Sequence, residues 1–147
     1  PSIGEFLLSH ENMKIPTRGT VCSVNEGNYQ KWPPSTQRYI DYLREHVPDD
    51  GRPYASRYIG ALVADVHRTL LTGGIYLYPG EEEKPEGKIR LLYESAPMAY
   101  VVEQAGGSAS TGTERILDIQ PTAIHQRTPI VIGSRDDVSL AEKFMRE

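Results

Sequence analysis

Apolar and polar positions alternate with several distinct periods along the chain, and each change of period marks an element. Phe6-Leu7-Leu8, within Gly4–His10, is a short apolar run that reads as a strand. Thr20–Val24 is β-branched and alternating, and Asn25-Glu26-Gly27-Asn28 follows it as a turn cluster. Pro33-Pro34-Ser35-Thr36 opens a helix whose apolar positions are Tyr39, Ile40, Leu43 and Val47. Pro48–Pro53 ends it as an exposed loop. Ile59, Leu62, Val63, Val66 and Leu70 then form one face of a second helix, which stops at Gly73-Gly74.

Ile75–Tyr78 reads as a strand, and Pro79–Gly87 as a charged surface loop. Lys88–Glu94 is open between a strand and the approach to a helix. Met98, Ala99, Val101, Val102 and Ala105 make a helical face, with Ser95 as N-cap, Pro97 in the first turn and Gly106-Gly107 as the stop. Pro129–Ser134 is a buried strand, and Ser134 caps a last helix through about Met145. Strands alternating with helices predict an α/β class, with helices packed on a mixed β-sheet. There is no internal repeat and no linker, so residues 1–147 read as a single domain.

Composition narrows the function classes. Apolar residues make up 38%, rising to about 47% when the 13 glycines are counted, which is enough for a packed core. No apolar run approaches the roughly 18 residues of a membrane span, so no membrane partner is expected. The net charge of −4 argues against a nucleic-acid-binding domain. A single cysteine, Cys22, excludes an internal disulfide framework and a cysteine-built zinc site; it reads as a buried strand thiol. His67 reads as an ordinary helix residue. Nine of the twelve aromatic residues are tyrosines, with polar tips. The start at Pro1-Ser2-Ile3, with no initiator Met and no signal segment, fits a processed product, a domain taken by itself or the remains of something longer.

No phosphate loop, dinucleotide fingerprint, nucleophile elbow or zinc-protease motif occurs. What remains is a set of polar groups at the ends of elements: Asn25, Arg57, Tyr58, Tyr78, Lys88, Arg90 and Glu94. Ligands of open α/β sheets bind outside the carboxyl ends of strands. Cations there supply charge for a phosphate, while amides and phenols supply direction. Each residue alone also fits a solvated surface. Glu94 equally fits a partner for a helix N-terminus.

Four strings carry a resemblance: VCSVNEGNYQKW (Val21–Trp32), SRYIGALVADVHRTLLTGGIYLYP (Ser56–Pro79), GKIRLLYESAPMAYVVEQAGG (Gly87–Gly107) and PTAIHQRTPIVIGSRDDV (Pro121–Val138). In this order they resemble the class I fructose-1,6-bisphosphatases over essentially the whole chain. Glu94–Gly107 is also similar to the carboxylate–helix element of the magnesium-dependent, lithium-sensitive phosphatases. Sedoheptulose-bisphosphatases are a poorer match around Arg57–Pro79.

The resemblance implies that Asn25 holds the sugar 6-phosphate, with phenol donors from Tyr58, Tyr78 and Tyr29. It implies Lys88 on the ring oxygen and 6-phosphate, and backbone amides near Gly60-Ala61-Leu62 on sugar hydroxyls. Arg57 would reach into a neighbouring subunit of a homo-oligomer, a tetramer at full length. Glu94 would ligate Mg²⁺, and Arg90 would lie near the 1-phosphate, making these two the catalytic pair.

The remaining metal ligands of that family lie in an upstream glutamate and an Asp-Pro-x-Asp-Gly-Ser signature, and no Asp-Pro-x-Asp-Gly occurs here. The chain therefore resembles the C-terminal, substrate-binding half, with the N-terminal metal and AMP domain absent. The implied activity is hydrolysis of fructose 1,6-bisphosphate to fructose 6-phosphate, in gluconeogenesis or the Calvin cycle. The compartment would be the cytoplasm or the chloroplast stroma, and the isolated chain would be inactive. The other class open is a non-catalytic sugar-phosphate-binding or oligomerisation module.

Overall fold

A computed structural model describes residue 4 and residues 6–147. Its centre is the strand β3 (Ile75–Tyr78), flanked by β1 (Val21–Ser23) and β7 (Ile130–Gly133). With the outer strands β2 (Ala55–Ser56) and β5 (Ser108–Ser110), the sheet order is β2-β1-β3-β7-β5. β1 is parallel to β2 and β3, whereas β7 is antiparallel to both β3 and β5. The sheet is therefore mixed, as expected.

Both faces of the sheet are covered. Ile75, Leu77 and Val131 point to one face, against α1 (Pro34–Arg44) and α4 (Arg135–Arg146). Tyr76, Ile130 and Ile132 point to the other, against α2 (Leu62–Thr72) and α3 (Ala96–Gln104). That is why β3 and β7 read as continuous apolar runs rather than alternating ones. β4 (Ile89–Arg90) and β6 (Arg127–Thr128) form a separate antiparallel ribbon.

Several sequence expectations change. Phe6, Leu7 and Leu8 are exposed and form no strand. α1 ends at Arg44, because Val47 turns back to pair with Arg52. The loop at 48–53 is not wholly exposed. Arg52 is buried, stacks on Tyr42 with its guanidinium carbon 3.8 Å from the ring centre, and donates to Asp50 and Glu45.

Ser95 and Ser134 both stand at the N-cap position, as expected, but neither hydroxyl bonds the first amides of its helix. Ser95 lies within a π turn, Leu91–Ser95, that runs directly into α3, and its hydroxyl is buried without a partner. The Ser134 hydroxyl instead accepts from the Gly74 amide at 3.0 Å, joining the start of β3 to the end of β7. Lys88–Glu94 resolves into both alternatives, a short strand followed by the π turn. Cys22 is buried as expected, and burial pushes its thiol up to about 12.

Candidate functional site

The parallel strands β1 and β3 end side by side, and a cleft of about 730 Å³ opens beyond their carboxyl ends. Asn25 enters it two residues after β1, and Tyr78 closes β3 at its wall. The ribbon supplies Lys88 and Arg90 from β4 and its approach, and the π turn supplies Glu94. Five of the residues singled out from sequence thus converge on one cleft: Asn25, Tyr78, Lys88, Arg90 and Glu94.

Local hydrogen bonds set what each group can still do. The Asn25 side-chain oxygen accepts from the Gly27 amide at 3.3 Å, capping the 3₁₀ turn Glu26–Lys31. That leaves its NH₂ as the free donor. One Glu94 oxygen accepts from the Arg90 amide at 2.7 Å, which clamps the ribbon to the π turn. Arg90 donates through Nη1 to the Lys88 carbonyl at 3.0 Å, while its Nε is buried without a partner.

Tyr58 sits behind this wall rather than in it, packed with Tyr78 on the same core cluster. Burial raises its phenol above the ordinary value, and the nearby Tyr78 and Asp65 add to the shift. Gly60 and Leu62 also lie outside the cleft lining. The Gly60 amide is not free, since it donates to Asp65 at 3.1 Å together with the Ile59 amide. Leu62 opens α2, whose first amides have no intrahelical acceptor. Arg57 is exposed, and its Nη1 donates to the adjacent Ser56 carbonyl.

Tyr29 is not brought to the cleft. Its phenol donates to Asp41 at 2.7 Å, and its ring meets Trp32 edge-on at 5.9 Å. The Asp41 carboxylate, before burial, raises the Tyr29 phenol. The tight winding of the 3₁₀ turn puts Asn28, not Tyr29, on the cleft side.

Sequence reasoning missed the rest of the lining. Lys31, Lys84 and Arg127 join Lys88 and Arg90, so five cations face two carboxylates, Glu81 and Glu94. This basic cleft lies in a chain of net charge −4. Lys31 shares its turn with Asn25, a spacing that could have flagged it. Arg127 sits on a two-residue strand too short to leave a periodic signal.

The donor set does not make a metal site by itself. Among the described residues no three His, Cys, Asp or Glu side chains are grouped to hold an ion. An anion fits the cleft better, since amide, phenol, ammonium and guanidinium groups all donate.

Comparison with known proteins places the chain. The family described as "Fructose-1-6-bisphosphatase, C-terminal domain" matches residues 15–146. A class 1 fructose-1,6-bisphosphatase of Chlorobium phaeobacteroides is 57% identical over 144 residues, covering 98% of this chain and 43% of the relative. That of Chlorobium phaeovibrioides is 56% identical over the same length. The crystal structure of Leishmania major fructose-1,6-bisphosphatase in holo form superposes with a TM-score of 0.94 at 51% identity. It is matched by 100% of this chain, over 45% of its own length. The apo form gives the same score and identity. The chain therefore spans less than half the length of these relatives.

Proposed function

The chain belongs to the fructose-1,6-bisphosphatase family, as its C-terminal domain, and on that premise we propose that it forms the sugar-phosphate-binding part of such an enzyme. The observation that supports this is the convergence of Asn25, Tyr78, Lys88, Arg90 and Glu94 on one cationic cleft. Asn25 and Tyr78 give directional donors and Lys88 gives charge, which together suit the 6-phosphate of fructose 6-phosphate. Holding that end of the substrate fixes where the other phosphoryl group lies, and so lowers the entropy cost of reaching the transition state.

Glu94 offers one carboxylate oxygen beyond the one bonded to the Arg90 amide, which suits a single bond to Mg²⁺. When bound, such an ion would neutralise phosphate charge and supply a metal-activated water. The described residues do not complete its coordination, so the hydrolytic step belongs to a longer protein. Arg57 is exposed before α2, outside the cleft lining, so any contact it makes with substrate would be across an interface with a second copy of the chain.

Titration of the purified chain with fructose 6-phosphate tests this reading. Binding is expected, weakened about tenfold by Lys88→Ala or Tyr78→Phe, while Tyr29→Phe changes it by less than about twofold. Robust release of phosphate from fructose 1,6-bisphosphate by the 147-residue chain with Mg²⁺ would contradict the division of labour. A chain that binds no fructose 6-phosphate would contradict the site.

A further inference from the structure

The two directional donors of the cleft stand at one level of the sheet. In the parallel β1–β3 pair Ser23 is level with Tyr76, and Asn25 and Tyr78 each follow two residues later. Ser23 is also where Asp65 of α2, wholly inside the protein, takes hold. Asp65 accepts from the Ser23 hydroxyl at 2.7 Å and from the Ile59 and Gly60 amides, each at 3.1 Å. Arg68 donates through Nη2 to Asp65 at 2.9 Å and to the Arg57 carbonyl at 2.8 Å. The Arg57 amide is held as well, by the Cys22 carbonyl at 2.9 Å.

Stability alone does not account for this arrangement. A buried ion pair is often no more stabilising than apolar side chains of similar volume. Arg68 Nε is in addition buried without an acceptor, which costs further. What the pair supplies is geometry. One carboxylate fixes the end of β1, which leads into Asn25, and the Arg57–Gly60 segment, which carries Tyr58. Tyr58 packs on the same core cluster as Tyr78, close enough that the Tyr78 phenol adds to the burial-driven rise of its own.

We propose that Asp65 and Arg68 are positioning residues of the sugar-phosphate site, which set the spacing of the Asn25 amide from the Tyr58 and Tyr78 phenols without lining the cleft themselves. The proposal rests on the reading of the cleft given above and adds what holds its directional donors in register. A hydrogen bond weakens steeply as its angle closes, so amide and phenol donors are sensitive to a small displacement. An ammonium acts as a point charge and tolerates one. Lys88 moreover stands at the approach to the separate β4–β6 ribbon, not on β1 or β3. Loosening Asp65 and Arg68 therefore uncouples the amide and the phenols and leaves the Lys88 contribution in place.

Titration of the 147-residue chain with fructose 6-phosphate, run as a double-mutant cycle, tests this. Arg68→Lys keeps the charge beside Asp65 but loses the planar fork that spans Asp65 and the Arg57 carbonyl. It should weaken fructose 6-phosphate about fivefold. Tyr78→Phe, which costs about tenfold in the wild type, should cost less than about threefold in that background, whereas Lys88→Ala should still cost about tenfold. Ser23→Ala removes a single bond to Asp65 and should show the same pattern more weakly; where Arg68→Lys does not fold, it carries the cycle. NMR spectra of the ligand-free chain give a second readout. The Asn25 side-chain amide and Tyr78 ring resonances should move in both variants, and the Ile89 and Thr128 amides of the ribbon should not.

Unchanged affinity in Arg68→Lys, an undiminished Tyr78→Phe effect, or equal blunting of Tyr78→Phe and Lys88→Ala would overturn the positioning role, since the last is what a general loosening of the fold produces. Asn25 and Tyr78 resonances that stay in place would overturn it too. A wild type that binds no fructose 6-phosphate would instead overturn the reading of the cleft, and the spectra would still judge Asp65 and Arg68.

Discussion

Asp65 is the residue on which the most donors converge, and it lies wholly inside the protein. It accepts from the Ser23 hydroxyl at 2.7 Å, from the Ile59 and Gly60 amides at 3.1 Å and from Arg68 at 2.9 Å. Arg68 also donates to the Arg57 carbonyl at 2.8 Å, so one carboxylate ties β1, α2 and the Arg57–Gly60 segment together. Burial pushes Asp65 up, but the hydrogen bonds from Ser23, Arg68 and the two amides outweigh it and hold the carboxyl below the ordinary value. A lowered folded-state value adds stability that is complete above the unfolded value of 3.8 and is lost as pH falls through the folded one. Asp137, raised chiefly by burial, has the opposite sign: its contribution is complete below the unfolded value and lost as pH rises through the folded one. Asp65→Asn is therefore expected to lower unfolding free energy by about 3 kcal/mol near neutral pH, because it leaves Arg68 charged and unpaired. Its denaturant midpoint should also fall less steeply than the wild type's below about pH 4. Parallel acid profiles would show that the Asp65 charge is not what holds the segment.

The helix carrying Asp65 shows where periodicity misleads. Ile59, Leu62, Val63, Val66 and Leu70 fit a single face, yet α2 begins only at Leu62 and buries Asp65, Val66, Thr69 and Leu70. Ile59 and Val63 are 63% and 64% exposed. A hydropathy pattern counts a buried aspartate and threonine as polar, so it rotated the inward face toward the exposed valine. β3 was legible to the residue, because Ile75–Tyr78 is wholly apolar or aromatic, is buried on both faces and starts after a glycine stop. β6 and the 3₁₀ turn were not, since two residues or one tight turn leave no period to count. The stop itself carries more than a helix end. Gly74 has φ +98°, and a Cβ there would collide with the Val21 carbonyl across the β1–β3 ladder. Gly106 has a similar φ of +91° but open space around it. Gly106→Ala should therefore cost about 1–2 kcal/mol of backbone strain, and Gly74→Ala at least about 2 kcal/mol more from the collision. Equal unfolding midpoints for the two variants would mean that β1 can shift away and the ladder is looser than it stands here.

Charge is the property that separates the cleft from the rest of the molecule, and no single element reveals it. The chain carries −4 overall, yet Lys31, Lys84, Lys88, Arg90 and Arg127 meet in one place from four different segments. Sequence reading reached Lys88 and Arg90 through their motif and saw Lys84 only as part of a charged loop. That loop folds back through the Glu82 amide, which donates to the Lys31 carbonyl at 2.8 Å, and this brings Lys84 to the rim. Lys31 itself has a weak bond to Asn28 at 3.4 Å, so its ammonium is held near the opening. Lysines so placed act on an arriving dianion through the field, and that field is screened by salt. The Debye length falls from about 30 Å at 0.01 M to about 10 Å at 0.1 M. Affinity for fructose 6-phosphate is expected to fall several-fold over that range, mostly through a slower association rate. A Lys31→Gln, Lys84→Gln double variant should flatten the dependence while retaining most of the affinity at high salt, because Asn25, Tyr78 and Lys88 remain. Were the double variant to keep the wild-type salt slope, the rim lysines would be bystanders, and the field would come from Lys88, Arg90 and Arg127 alone.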